Sequence, residues 1–137
     1  MKDIESKIAR VTKRLAAVDM FTVKRPIRFK SEGSTMNALA NAQAIAAAGY
    51  SFAHGTVRYD DYYGGVQEME VFFKRDDDIA SHVFKGFNFG YGGEGPRGLI
   101  EFGQTFFIAL DPKKILSHDY RASLPKKGTF DLVQLLG

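Results

Sequence analysis

Residues 51–78 read SFAHGTVRYDDYYGGVQEMEVFFKRDDD, and this stretch decides the fold class. Aromatic and β-branched residues alternate with polar ones on both sides of a central segment rich in Asp, Tyr and Gly, which is typical of a β-hairpin. We predict one strand over residues 50–59, a turn over 60–65 and the returning strand over 66–74. A short helical turn is predicted at 79–82, directly after the acidic run.

Helices are predicted on both sides of this hairpin. Ser34 or Thr35 can cap a helix rich in small residues that runs to about Ala48 and stops at Gly49. A second helix is predicted to open with Pro96, a favoured first residue, and to fade near residues 111–112. Its apolar residues recur at helical spacing, so one face is expected to pack against the sheet.

The two ends of the chain supply the remaining elements. Residues 1–18 have apolar residues at helical spacing and predict an amphipathic helix with a basic outer face. Residues 21–29 predict a strand pair or a strand bent at Pro26, and residues 113–137 predict a short strand, a basic turn and an apolar tail. With no internal repeat and no linker, we predict a single α+β domain over residues 1–137, an antiparallel sheet packed against two or three helices.

Composition narrows the functional classes. The 137 residues include no cysteine, which excludes disulfides, thiolate metal sites and a cysteine nucleophile, and favours the cytoplasm. The formal net charge of +3 is mildly basic and favours anionic partners. The most apolar stretch, residues 38–48, is too short to cross a bilayer, so we expect no membrane partner.

Residues 86–98 read GFNFGYGGEGPRG and place six glycines in thirteen positions. Such density implies that the backbone turns sharply or approaches something closely. The stretch leads into a predicted helix start, where unpaired backbone N–H groups attract phosphate or carboxylate. Gly92, Gly93 and Gly95 can bend further N–H groups into an anion-binding concavity, and Arg97 can add a bidentate contact to a phosphate.

Aromatic residues alternate within the same stretch. If Phe87, Phe89 and Tyr91 lie on a strand they share one face, and that face lines either the core or a platform for stacking a base. Asn88 then points the other way, towards a base or ribose edge. The competing interpretation is a tight turn between strand and helix with ordinary aromatic packing, and the sequence leaves both open.

The segment GYGGEGPRGL, together with the size of the chain, resembles the phage Thoeris anti-defence sponges. The resemblance implies an oligomeric α/β protein in the host cytoplasm that sequesters a cyclic ADP-ribose isomer intact between subunits. It further implies aromatic stacking and polar contacts to ribose and diphosphate, and in some members a separate site for cyclic oligonucleotides. Only residues 87–97 carry this resemblance.

Two further groups of residues are candidates for binding. Arg58 neighbours the tyrosines of the predicted turn, Tyr62 and Tyr63, and can complete an aromatic and cationic rim around a nucleotide. Arg25 and Arg28 belong to the basic stretch KRPIRFK, a candidate second site for phosphates or nucleic acid. A charged edge strand that resists aggregation explains that stretch equally well.

Catalytic and metal-binding patterns are absent from the sequence. The three histidines have no metal-ligand spacing, and neither the acidic turns nor Glu68 and Glu70 form an acid–base pair. We therefore expect no catalytic residue, no metal and no cofactor. The predicted function is non-catalytic sequestration of a cyclic nucleotide signal by a homo-oligomer. The alternative is an interaction protein that blocks a host defence complex or binds nucleic acid through its basic face.

Overall fold

A computed structural model describes residues 34–137 of the chain. The predicted N-terminal helix, the bent strand with Arg25 and Arg28, and the turn before Ser34 lie outside the described residues. Four strands form one antiparallel sheet in the order β3-β2-β1-β4. Their bounds are Ser51–Asp60 for β1, Gly65–Arg75 for β2, Asp78–Phe84 for β3 and Lys127–Asp131 for β4.

The predicted hairpin is confirmed. β1 and β2 pair in antiparallel register, with Val57 opposite Met69, and a 3₁₀ turn at Asp61–Tyr63 connects them. The carboxylate of Asp60 accepts a hydrogen bond from the Tyr62 backbone N–H at 3.0 Å and so caps this turn. The alternation of apolar and polar residues seen in the sequence therefore sets the two faces of the sheet.

The helical turn predicted at residues 79–82 is wrong, because these residues form part of β3. Arg75 pairs directly with Asp78, so the chain reverses over two residues. Asp76 has φ of 51°, a left-handed conformation that Asp tolerates and that two-residue hairpin turns use. The acidic run that suggested a helix start is the turn of a second hairpin.

Two main helices pack against each other, α1 at Thr35–Ala47 and α2 at Glu94–Thr105. The predicted start of α1 is confirmed, since the Ser34 hydroxyl accepts a hydrogen bond from the Asn37 N–H at 3.1 Å. α2 begins two residues before Pro96 and ends earlier than predicted. Its end is a Schellman motif, in which Ile108 N–H donates to Gly103 O at 2.7 Å and Phe107 adopts φ of 57°.

The C-terminal segment differs from the prediction in its order of elements. Two short helices, α3 at Pro112–Ile115 and α4 at His118–Ala122, come first, and β4 follows the basic turn instead of preceding it. Asp111 and Ser117 cap α3 and α4 through their side chains. A 3₁₀ helix at Leu132–Leu135 ends the chain and buries its leucines in the core.

The core joins the sheet, both main helices and the C-terminal segment in one cluster. Phe102 of α2 packs against the rings of Phe84 and Phe106 at centroid distances of 5.3 and 5.1 Å. The described residues thus form the predicted α+β arrangement of an antiparallel sheet and several helices. No helix among them is long and apolar enough to cross a membrane.

Candidate functional site

The glycines of residues 86–98 mostly make room for other parts of the protein. A Cβ on Gly86 would lie 2.5 Å from the Ser34 backbone carbonyl, and one on Gly90 would lie 2.5 Å from Cδ of Arg121. Both glycines also have positive φ, 115° and 95°. The backbone at these two glycines does approach other groups closely, as the sequence predicted. The groups that it approaches are the start of α1 and an arginine of α4.

Arg121 joins the glycine stretch to the β1–β2 turn through its bonds to Asp61, Asn88 and Phe89, a set of contacts called here the clamp. Its Nε donates to the Asp61 carboxylate at 2.7 Å, and its Nη2 donates to the same carboxylate. Its Nη1 donates to Asn88 Oδ1 at 3.1 Å and to Phe89 O at 2.6 Å. It also lies 4.5 Å from the centre of the Phe89 ring. Its side chain is 12% exposed, so these bonds are partly shielded from water. The clamp is a structural feature that joins two segments distant in sequence.

Asn88 completes this clamp. Its Oδ1 accepts hydrogen bonds from the N–H groups of Val66 and Phe89 at 3.1 and 3.0 Å, and its Nδ2 donates to Gly64 O at 3.0 Å. Together with the hydrogen bond from Arg121, these contacts give both polar atoms of the Asn88 side chain partners within the protein. Asn88 also lines the cavity described below, so its contact with a base or ribose edge stays a prediction.

The structure places Phe87 and Phe89 in the core, one of the two positions that the sequence left open. These residues lie in a loop, not on a strand, and are 2% and 0% exposed. The ring of Phe87 packs 5.5 Å from Phe102, and the ring of Phe89 packs edge-on against Tyr59 at 5.8 Å. Neither ring has a face open to a base, and the core interpretation that the sequence left open describes both.

Tyr91 differs from the two phenylalanines, since it is 46% exposed. Its ring folds over the start of α2, where a Cβ on Gly93 would overlap ring atom Cε2 and one on Gly95 would lie 3.1 Å from the hydroxyl. Gly93 and Gly95 therefore position this ring by lacking side chains. At Gly92, by contrast, no atom of residues 34–137 lies within 4 Å of an added Cβ.

One face of this helix start opens into a cavity of about 440 Å³, here called the tyrosine cleft. Tyr63 from the β1–β2 turn, 78% exposed, and Tyr91 from the glycine stretch both line it. Lys85 and Glu94 bring one positive and one negative charge to its wall. Two exposed aromatic rings with hydrogen-bonding groups between them suit a flat, polar ligand.

A second cavity of about 400 Å³, the arginine cleft, lies between the starts of α1 and α2. Arg97 lines it together with Glu94, Glu101 and the exposed side chain of Met36. No ion pair to Arg97 is present among residues 34–137. The N-cap residue of α2, Gly93, supplies no side-chain hydrogen bond to the first turn. A solvent-facing guanidinium and an uncapped helix start both favour an anion.

Arg58 does not join these clefts. Its neighbours Val57 and Tyr59 face the core, so Arg58 faces the opposite side of the sheet, where its Nε contacts the Glu68 carboxylate at 3.2 Å. The structure corrects its assignment to the same site as the glycine stretch.

Two tyrosines near the sheet have raised pKa values. Burial raises the pKa of the Tyr59 hydroxyl above its ordinary value of 10.0, Asp61 raises it further, and Arg121 opposes this. Burial likewise raises the pKa of Tyr120. His54 Nε2 contacts the Asp131 carboxylate at 3.2 Å on the outer face of the sheet. Within the described part of the chain, no three acidic or histidine side chains are grouped to hold a metal.

Of the residues proposed from the sequence, the tyrosine cleft is lined by Phe87, Asn88, Tyr91 and Gly95, and the arginine cleft by Gly92, Gly93 and Arg97. Lys85 and Glu94 also line the clefts and were not proposed from the sequence. A signal for Glu94 was present, since it stands among the glycines at a helix start that was expected to bind an anion. Lys85 precedes the stretch, and only the fold brings it beside Tyr91. No protein-family model, curated protein or solved structure gives a match to this chain.

Proposed function

We propose that this protein binds a small anionic nucleotide and sequesters it intact. The observation that carries the proposal is the meeting of the two clefts at the start of α2, one with exposed tyrosines and the other with Arg97. Tyrosine rings stack on a base whatever its identity, and an arginine binds phosphate through two parallel hydrogen bonds. A nucleotide carries both groups, so one ligand can use both clefts.

The resemblance of residues 87–97 to Thoeris anti-defence sponges supports a cyclic ADP-ribose isomer as this nucleotide. On this proposal the protein is phage-encoded and acts in the host cytoplasm by lowering the concentration of the free signal. Sequestration requires that the ligand be released unchanged, and recovery of intact ligand is therefore the test that separates it from catalysis.

A homo-oligomer is part of the same proposal. α1 carries no charged side chain, and its outer surface presents Met36, Ala40, Gln43 and Ala47 to solvent. An exposed helix face of small and apolar residues suits close packing against a second copy. That packing would lie beside the arginine cleft, which Met36 lines.

A different observation favours the alternative, an interaction protein. Phe107 is 96% exposed and adopts φ of 57°, a conformation that costs a residue other than glycine about 1–2 kcal/mol. An aromatic ring held in water at that cost suits contact with another protein. Arg25 and Arg28 lie outside the described residues, so the proposed nucleic-acid contact rests on sequence alone.

Calorimetric titration with cyclic ADP-ribose isomers, cyclic dinucleotides and cyclic trinucleotides tests the proposal. Each complex is then heat-denatured and the released ligand analysed for integrity. We expect one ligand class to bind and to be recovered whole, and Arg97→Gln to weaken binding about 10- to 100-fold through loss of a charged contact. Arg58→Gln removes the same charge from the opposite face of the sheet and is the matched control.

Three results would contradict the proposal. A cleaved product would make the protein an enzyme, and equal losses in the two arginine variants would place the ligand elsewhere. If no nucleotide binds, the interaction alternative gains support. Binding to nucleic acid that falls steeply with salt would then identify its partner.

A further inference from the structure

The tyrosine cleft and the arginine cleft meet at residues that line both of them, and one of these is Glu94. Glu94 and Thr35 line both cavities, whereas Arg97 lines only the arginine cleft and Tyr63 and Lys85 line only the tyrosine cleft. A ligand that occupies both clefts therefore lies beside Glu94 and Thr35. The Thr35 hydroxyl donates to Gly86 O at 2.6 Å and is held by that bond. Of the two shared residues, Glu94 is therefore the one whose side chain we expect to contact the ligand at the junction.

A carboxylate at this position repels a phosphate and accepts hydrogen bonds from hydroxyl groups. The middle of the ligand must accordingly be neutral and rich in hydroxyls. Its two ends differ, since the tyrosine cleft suits a planar base and Arg97 suits a phosphate. The resulting order of base, hydroxyls and phosphate is that of a ribonucleoside 5′-phosphate with an unsubstituted ribose diol.

We propose that Glu94 determines ligand specificity by binding the 2′,3′-diol of a nucleotide and by excluding nucleotides that carry a phosphate at the 3′ position. This inference rests on the proposed function and narrows it. Of the ligands considered above, it favours those with a 5′-phosphate and an unsubstituted ribose diol over cyclic oligonucleotides joined through 3′-phosphates. The negative charge of Glu94 explains both the binding of the diol and the exclusion of the 3′-phosphate, since it attracts hydroxyl groups and repels phosphate.

Three adenine nucleotides test this role by calorimetry: adenosine 5′-monophosphate, its 2′-deoxy form and adenosine 3′,5′-bisphosphate. We expect the wild type to bind the monophosphate about 10-fold more tightly than either of the others, the effect of one charged hydrogen bond or of one repulsive pair. Glu94→Gln should bring the bisphosphate level with the monophosphate or above it. Glu70→Gln removes a carboxylate from the outer face of the sheet, away from both clefts, and should leave the ratio unchanged.

The outcomes separate this inference from the proposed function. Equal affinities for the three nucleotides, or a ratio that Glu94→Gln does not change, would overturn the role of Glu94 while nucleotide binding stands. If the cyclic ligands bind and none of the three mononucleotides does, the inference also fails and the proposed function stands. If no nucleotide of either set binds, both fail. Thermal melting of each variant verifies that it is folded.

Discussion

Replacement of Arg121 by methionine is expected to destabilise the protein by about 3–5 kcal/mol, because it leaves a carboxylate and a buried carbonyl without their donor. Methionine retains an apolar stem against the Phe89 ring but removes every hydrogen bond of the guanidinium. The Asp61 carboxylate, 22% exposed, loses its cation, which accounts for about 2–3 kcal/mol. The carbonyl of the fully buried Phe89 loses a donor at 2.6 Å, which accounts for about 1–2 kcal/mol more.

Urea unfolding and thermal melting measure this cost directly. For a chain of this size the loss corresponds to a fall in Tm of about 10–20 °C. The matched control is Arg58→Met, which removes an arginine from an exposed pair with Glu68 and should cost less than about 1 kcal/mol. If Arg121→Met costs no more than Arg58→Met, the clamp does not stabilise the fold. A double-mutant cycle with Asp61→Asn should give a coupling of about 1–3 kcal/mol.

Three further predictions follow from individual residues. Gly93→Ala should displace the Tyr91 ring and weaken ligand binding at least about 5-fold. Gly128→Ala, in β4 and in neither cleft, should leave binding unchanged and alter stability by less than about 1 kcal/mol; titration and melting compare the two. Phe107→Gly should raise stability by about 1 kcal/mol in urea unfolding, because it relieves a left-handed conformation and removes a side chain that is almost wholly exposed; a loss of stability would show that the ring makes contacts. The pKa of Tyr59 is raised in the folded protein, so the protonated hydroxyl contributes to the free energy of unfolding. This contribution is complete below about pH 10 and is lost as the pH rises through the raised pKa. Tyr59→Phe should therefore flatten the alkaline fall in stability measured between about pH 8 and pH 11.

Local signals in the sequence were sufficient for α1 and for the first hairpin. Ser34 accepts a hydrogen bond from the backbone three residues later, and this short-range contact is what a capping pattern encodes. β3 was missed because a run of aspartates suits both a helix start and a tight turn. The tight turn requires Asp76 to adopt a left-handed conformation, and the pairing of β2 with β3 imposes that conformation.

The glycine stretch shows the limit of composition as a guide to function. The sequence indicated correctly that the backbone comes close to other groups, but composition does not say whether those groups are a ligand or the protein. Gly90 faces Arg121, which lies about 30 residues further along the chain, and Arg121 binds Asp61, 60 positions before it. No local pattern joins residues at such separations, so the clamp was not predictable. Tyr91 and Arg97 could be proposed from the sequence because they lie close to the start of α2, and their role in binding stays a prediction.

The clamp also bears on the site, although Arg121 lines neither cleft. Asp61 begins the short turn that carries Tyr63, and Asn88 lies three residues before Tyr91. By bonding to both segments, Arg121 fixes the turn and the glycine stretch relative to each other, and with them the two ends of the tyrosine cleft. A cleft whose walls are already held in place loses less conformational entropy when a ligand enters, which favours tight binding. The buried interactions of Asn88 and Phe89 therefore hold in place the walls of the cavity in which we propose that the ligand binds.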